Sequence, residues 1–326
     1  MHFKIVSFRQ IFMYAVPLFL LISGALLLNR DIELPDFFKR RLPRIISPYI
    51  FYTVIHVCIL YFILSTFSGF GDLTTSLNKV PFGHNWYFWL ILGIYITLPI
   101  INKFVQNASG QEIDYFIAVL FGGSIFYQVM FILGIKQYIN LNLVLCPVAY
   151  LVLGYYLANK EFKMSKNKLI TLSIILFIAV SAVKILSVNG FVPFEYVTGY
   201  DITTSPRVAT QVDLGIFELI RVSSLFLMIK FIFESRQGIY LKIKNILNHN
   251  ILTKIYTSIS KASYGMYLFH ITIYVIILAM LSKLPLTGSQ VCLLIVGLSV
   301  GLNIFSWLAV LVINKIPFIK KFSGYH

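Results

Sequence analysis

Nine runs of about 20 apolar residues, separated by short charged connections, leave few folds open to this chain. A helix of that length crosses a hydrocarbon core about 30 Å thick. The runs fall at 9–28, 45–66, 86–101, 115–134, 141–158, 168–187, 214–233, 262–283 and 291–313. Helices rather than strands follow from run length, and from the need to satisfy every backbone polar group inside lipid. The ten-residue alternation of a membrane barrel is not evident. The expected architecture is all-α: a polytopic integral membrane bundle of about nine transmembrane helices, forming one membrane domain over 1–326 without a soluble appendage.

Composition excludes the soluble alternative. Hydrophobic types make up 58% of the chain and charged types 12%, against about 25% charged in an ordinary soluble domain. A net charge of +15 invites a nucleic-acid reading. The basic residues do not form one patch, however; they lie in short loops, as topology signals do. Nucleic acid is therefore excluded as a partner, while membrane lipids and a phosphorylated ligand remain open. Cys58, Cys146 and Cys292 each sit inside an apolar run, where a thiol behaves as a small hydrophobe. Their spacing suggests neither a metal site nor a disulfide framework.

Lysines and arginines gather on alternate connections. Eighteen of them follow spans 1, 3, 5, 7 and 9, and six lie on the other connections. The positive-inside rule places the richer side, and with it the C-terminus, in the cytoplasm. The N-terminus then lies outside, an uncommon start that predicts one further helix upstream. Trp86 and Trp89 suit an interfacial anchor for the short third span.

Chemistry-bearing residues are few. The segment Arg30–Arg44 ends in a dense cationic cluster, Lys39, Arg40, Arg41 and Arg44, beside Pro43. Guanidinium groups stay charged and hold phosphate oxygens bidentately. A plain topology determinant is the bland alternative. Glu218 and Arg221 lie three residues apart on one helix face of the seventh span, where they can pair. Charges at membrane depth are retained facing a cavity or a partner, so a polar cavity containing Glu218, Arg221 and Trp86 competes with a structural ion pair. His270 and His56 lie within spans 8 and 2; either could act as a base or be an ordinary bonded core histidine. Lys184 and Lys230 sit near span ends and are expected to snorkel. The longest outer connection, 188–213, is rich in aromatics. Asn107-Ala108-Ser109 matches a glycosylation sequon but falls on the predicted cytoplasmic side. Phosphate-loop, HExxH and GxSxG motifs are missing, and nothing implies a metal.

Several segments together resemble the bacterial membrane acyltransferase family 3, integral membrane O-acyltransferases that modify surface polysaccharides and related glycans. They are AVPLFLLISGALLL at 15–28, DFFKRRLPRIISPYIFY at 36–52, HNWYFWLILGIYITLPII at 84–101 and SYGMYLFHITI at 263–273. The order and spacing match over nearly the whole chain. The resemblance implies transfer of an acyl group, acetyl above all, from cytoplasmic acyl-CoA to a hydroxyl of a cell-surface glycan or its lipid-linked precursor. It implies acyl-CoA as co-substrate, no bound cofactor, and a bacterial inner or plasma membrane location. The family's Arg-x-x-Arg element corresponds to Arg41-Leu-Pro-Arg44, which implies coenzyme A binding by Arg40, Arg41 and Arg44.

One departure matters. In the family, a basic residue of the first helix precedes the catalytic histidine by ten intervening residues. This chain begins at what looks like the second helix, and His2 has no partner at that spacing. Arg44 and His56 have eleven residues between them and lie in the wrong helix. The family histidine is therefore expected to be missing, with His270 left as a weak candidate for the base. Two other readings stand beside the enzyme: an exporter of polysaccharide or lipid-linked sugar, and an inactive truncated relative.

Overall fold

The computed structural model describes residues 14–68, 86–133, 147–188, 215–235, 238–281 and 288–326. The described residues form ten α-helices: α1 (Ala15–Leu27), α2 (Leu34–Ser68), α3 (Trp86–Asn107), α4 (Gly110–Ile132), α5 (Pro147–Asn159), α6 (Lys166–Val188), α7 (Ile216–Glu234), α8 (Gly238–Leu247), α9 (Asn250–Leu281) and α10 (Gly288–Lys315). A 3₁₀ turn, Lys320–Phe322, follows. Each of the nine apolar runs overlaps one of these helices. Three are both long and apolar enough to cross a membrane: Leu34–Ile63, Trp86–Asn107 and Lys166–Ser187. Ala15–Leu27 and Val300–Lys315 are apolar but shorter. The outer connection 188–213, His2, Cys146 and Arg207 lie outside the described residues, apart from Val188 at the end of α6.

Two helix boundaries differ from expectation for physical reasons. The α2 helix starts at Leu34, eleven residues before the apolar run, because its basic first turns carry their own start signals. Pro35 suits a first turn whose N–H groups lack intrahelical acceptors, Asp36 meets the positive end of the helix dipole, and Asp36 accepts from Arg40 at 3.0 Å one turn on. The α8 helix was not expected at all; it occupies what reads as a charged connection.

The chain divides into two compact units. The first comprises residues 1–31 and 97–246, the second residues 32–96 and 247–326.

In the first unit, α1 crosses α5 at very short range. A Cβ added to Gly24 would overlap the backbone of Leu151, and one added to Gly154 would overlap the backbone of Leu21. Small residues that let backbones touch are the usual means of helix association in lipid. The α6 and α7 helices pack along each other, with Leu169, Ile170 and Phe231 buried between them.

Helix ends assigned to the same side by charge alternation bond to one another within this unit. Asn29 takes a left-handed conformation (φ 59°) just after α1. The Arg30 backbone then exchanges hydrogen bonds with Asn102 of α3, donating at 3.3 Å and accepting at 2.7 Å. Lys160 after α5 donates to Asp114 of α4 at 2.8 Å, and Lys166 of α6 pairs with Glu234 of α7 at 3.3 Å. The hydrogen bond from Lys160, and next that from the Tyr156 hydroxyl, hold the Asp114 carboxyl below its ordinary range. That contribution is present at neutral pH and fades as pH falls through the lowered pKa. Lys230, expected to snorkel, donates to the carbonyls of Leu157 (3.0 Å) and Ala158 (2.6 Å) at the end of α5. A cation there meets the negative end of the helix dipole.

The start of α4 shows why Asn107-Ala108-Ser109 is structural. The Ser109 N–H and hydroxyl donate to Glu112 at 2.6 and 2.8 Å, and Ser109 Oγ accepts from the Glu112 N–H at 3.3 Å. This is a reciprocal capping box. Ser109→Ala is expected to destabilise the first turn of α4 by about 1 kcal/mol. Amide exchange confined to the first turn should rise accordingly; unchanged protection there contradicts the assignment.

In the second unit, α2 packs on α9, and α9 on α10. The core is Ile45, Tyr49, Tyr52, Phe88, Ile91 and Leu268. Tyr49 stacks on Phe88 with centroids 3.6 Å apart. The chain after α10 folds back against this core, with Tyr52 donating to the Ser323 carbonyl at 3.0 Å. Gly324 (φ +70°) lies where a Cβ would press on the backbone of Gly265.

Candidate functional site

The basic end of α2 is tied to α9 and to the C-terminal tail by hydrogen bonds. Pro48 has no N–H, so the Arg44 carbonyl one turn earlier lacks its helical donor. His326 fills that gap, its Nε2 donating to Arg44 O at 2.9 Å, while its own backbone N–H donates to Lys261 O at 2.9 Å. The Tyr264 hydroxyl donates to the neighbouring Ile45 carbonyl at 2.8 Å. The tail and the arginine segment therefore share one end of the second unit, as the charge alternation requires.

The three arginines project from this end of α2 in different states. Arg40 is exposed and engaged with Asp36. Arg44 is exposed and Arg41 half-buried. No acidic side chain among the described residues pairs with either. At a spacing of three, Arg41 and Arg44 share a helix face. Two guanidinium groups so placed can bind the oxygens of a phosphorylated ligand.

A second constellation lies in the same unit. Ring contacts run from Trp86 to Tyr87 (5.9 Å), from Tyr87 to Tyr267 (5.0 Å) and from Tyr267 to His270 (5.8 Å). The Tyr87 N–H, at the open start of α3, donates to the Tyr267 hydroxyl at 3.1 Å. His270 is half-buried, and its Nδ1 lies 2.5 Å from the Tyr267 carbonyl. A carbonyl only accepts, so Nδ1 donates to it and fixes the ring orientation. His56 is buried within α2. Trp86, grouped from sequence with Glu218 and Arg221, is thus joined by contacts to His270.

Glu218 and Arg221 belong to the first unit and do pair. Arg221 donates to Glu218 Oε1 from Nε at 3.2 Å and from an Nη at 2.9 Å, and lies 2.8 Å from Oε2. A third member was missed: Lys184 of α6 also donates to Glu218. Lys184 does not snorkel; it is buried with Glu218 and Arg221, each at 1% exposure or less. The Arg221 guanidinium lies over the Tyr14 ring at 5.1 Å, a cation–π contact. Lys184 ends α6 and Glu218 opens α7, so their common position at one end was the available clue.

Helices long and apolar enough to cross a membrane mark an integral membrane protein. The sequence model of the family described as "Acyltransferase domain" matches residues 1–312, and the chain belongs to that family. The resemblance to membrane acyltransferase family 3 is thereby confirmed, and acyl transfer is the general class of its chemistry. Comparison with curated proteins and with solved structures finds no match.

Proposed function

We propose that the protein transfers an acyl group, acetyl above all, from cytoplasmic acyl-CoA to a hydroxyl of a cell-surface glycan or its lipid-linked precursor. The observation that carries this reading is the Arg41–Arg44 pair. Two cations share one face of α2, on a segment clamped by Tyr264 and His326, and neither is neutralised by a described carboxylate. Coenzyme A presents phosphates that such a pair holds with charge-assisted bonds. Arg40 contributes as a weaker member, since Asp36 competes for it.

The transfer itself needs a base for the acceptor hydroxyl. The hydroxyl oxygen attacks the thioester carbonyl, and the tetrahedral intermediate collapses with loss of the coenzyme thiolate, which takes up a proton. Among the histidines of the described residues, His270 suits the base: its Nδ1 is anchored to the Tyr267 carbonyl, which orients the ring. Trp86 and the tyrosines joined to His270 offer flat faces on which a sugar ring can rest.

Neutralising Arg41 and Arg44 together (Arg41→Gln/Arg44→Gln) removes two charge-assisted contacts, each worth about 1.5–3 kcal/mol. The KM for acetyl-CoA should therefore rise by at least about a hundredfold, with kcat less affected. The measurement is acetyl transfer by the purified protein at varied acetyl-CoA. An unchanged KM in an active variant rejects the coenzyme assignment. Loss of secreted polymer with normal acetylation in a deletion strain would favour export instead.

A further inference from the structure

We propose that α8 and the first three turns of α9 are interfacial elements that bind acidic phospholipid headgroups. The inference rests on geometry and charge alone and does not depend on the acyl-transfer reading.

The α8 helix has ten residues, about 15 Å at 1.5 Å per residue, half the thickness of a hydrocarbon core. It cannot span. None of its residues is buried. One edge is docked: Tyr240 packs against the Leu169, Ile170 and Phe231 cluster, and Lys244 donates to the Phe233 carbonyl at the end of α7 at 2.9 Å. Another face carries Ile239 and Ile246, seven residues apart and 65% and 62% exposed. Lys242 lies beside that face, and Lys242 and Asn245 are exposed.

The start of α9 repeats the pattern independently. Ile251, Ile255 and Ile259 recur every four residues and are 62%, 42% and 38% exposed. Lys254 and Lys261 flank that stripe. An apolar stripe beside lysines on a helix too short or too polar to cross lipid is the signature of a helix lying in the headgroup plane.

Charge selects the occupant. No aspartate or glutamate follows Glu234 in the sequence. Among the described residues, Lys242, Lys254 and Lys261 form no ion pair with a carboxylate. Acidic headgroups offer that counter-charge, while their acyl chains cover the isoleucines. A soluble phosphate compound would satisfy the lysines and leave the isoleucines in water.

The test uses the full chain in nanodiscs of phosphatidylcholine with or without phosphatidylglycerol. The native cysteines are replaced by serine, and bimane is attached at Ile246→Cys or at Asn245→Cys. Nitroxide-labelled lipid should quench position 246 strongly and position 245 weakly, with the opposite order for aqueous iodide. Independently, Lys242→Glu/Lys254→Glu should lower the preference for phosphatidylglycerol retained on the purified protein by about fivefold per lysine. Saturating acetyl-CoA should change neither readout. The proposal is overturned if position 246 is open to iodide and blind to the nitroxide lipid. It is equally overturned if that position is shielded from both in discs holding two copies, if the lysine variants keep the parental lipid content, or if acetyl-CoA displaces the lipid.

Discussion

Replacing Glu218 with leucine should destabilise the first unit by about 3–5 kcal/mol, because it removes the carboxylate that two buried cations share. Glu218 accepts from both Lys184 and Arg221, and all three side chains are withdrawn from solvent. Lys184 and Arg221 would then repel each other, in surroundings that screen charge poorly. The cation–π contact of Arg221 with Tyr14 is worth about 2 kcal/mol at most and cannot replace a carboxylate. Removing all three charges together has the opposite sign. Lys184→Met/Glu218→Leu/Arg221→Met should be as stable as the parent or more so, since a hydrophobic replacement escapes the desolvation cost. Thermal unfolding in detergent measures both. A single variant as stable as the parent contradicts the buried-pair account. The triple variant also separates the two roles open to this cluster. A folded, fully active triple variant makes it a structural lock between α6 and α7; a folded variant without acetyl transfer makes it part of a polar site.

What could be read from the sequence follows the range of the interactions. Glu218 and Arg221 were legible as a pair because three residues set their geometry on one helix. Lys184 was not, since it reaches Glu218 from 34 residues away and local pattern is silent about which helices become neighbours. The same limit hid the bond between Tyr87 and Tyr267, and with it the regrouping of Trp86 toward His270. Helix positions followed from run length, but boundaries moved where charge masked helical signals. Asp36 and Arg40 made the start of α2 look like a loop, although their spacing of four supports a helix. The α8 helix was hidden by Arg236, Lys242 and Lys244, yet Ile239, Ile243, Ile246 and Leu247 already trace a helical face. The His326 contact had one sequence clue: Pro48 leaves the Arg44 carbonyl without its helical donor.

Valine at Gly154 should prevent the first unit from folding. The reason is that the obstruction is backbone on both sides of the crossing. A side chain at position 154 meets the Leu21 backbone, and one at position 24 meets the Leu151 backbone. No rotamer change relieves either clash, so α1 and α5 must move apart. Both helices have only 13 residues, and separating them opens the contacts of Leu20, Leu21, Leu151 and Leu153, all fully buried. Lipid returns little for that loss, because helix association in a bilayer depends on close packing rather than on exclusion of water. Alanine is the graded case. It gains about 1 kcal/mol of helix propensity over glycine, while forced overpacking costs about 1–3 kcal/mol where side chains can adjust. Here the opposing atoms are backbone, so the clash outweighs propensity and Gly154→Ala should be clearly destabilised. Gly122 of α4 is the matched control, since nothing lies within 4 Å of an added Cβ. Gly122→Ala should be neutral or slightly stabilising, while Gly154→Val yields no monodisperse protein on fluorescence-detected size exclusion. Equal recovery of the two variants would show that α1 and α5 do not meet through these glycines.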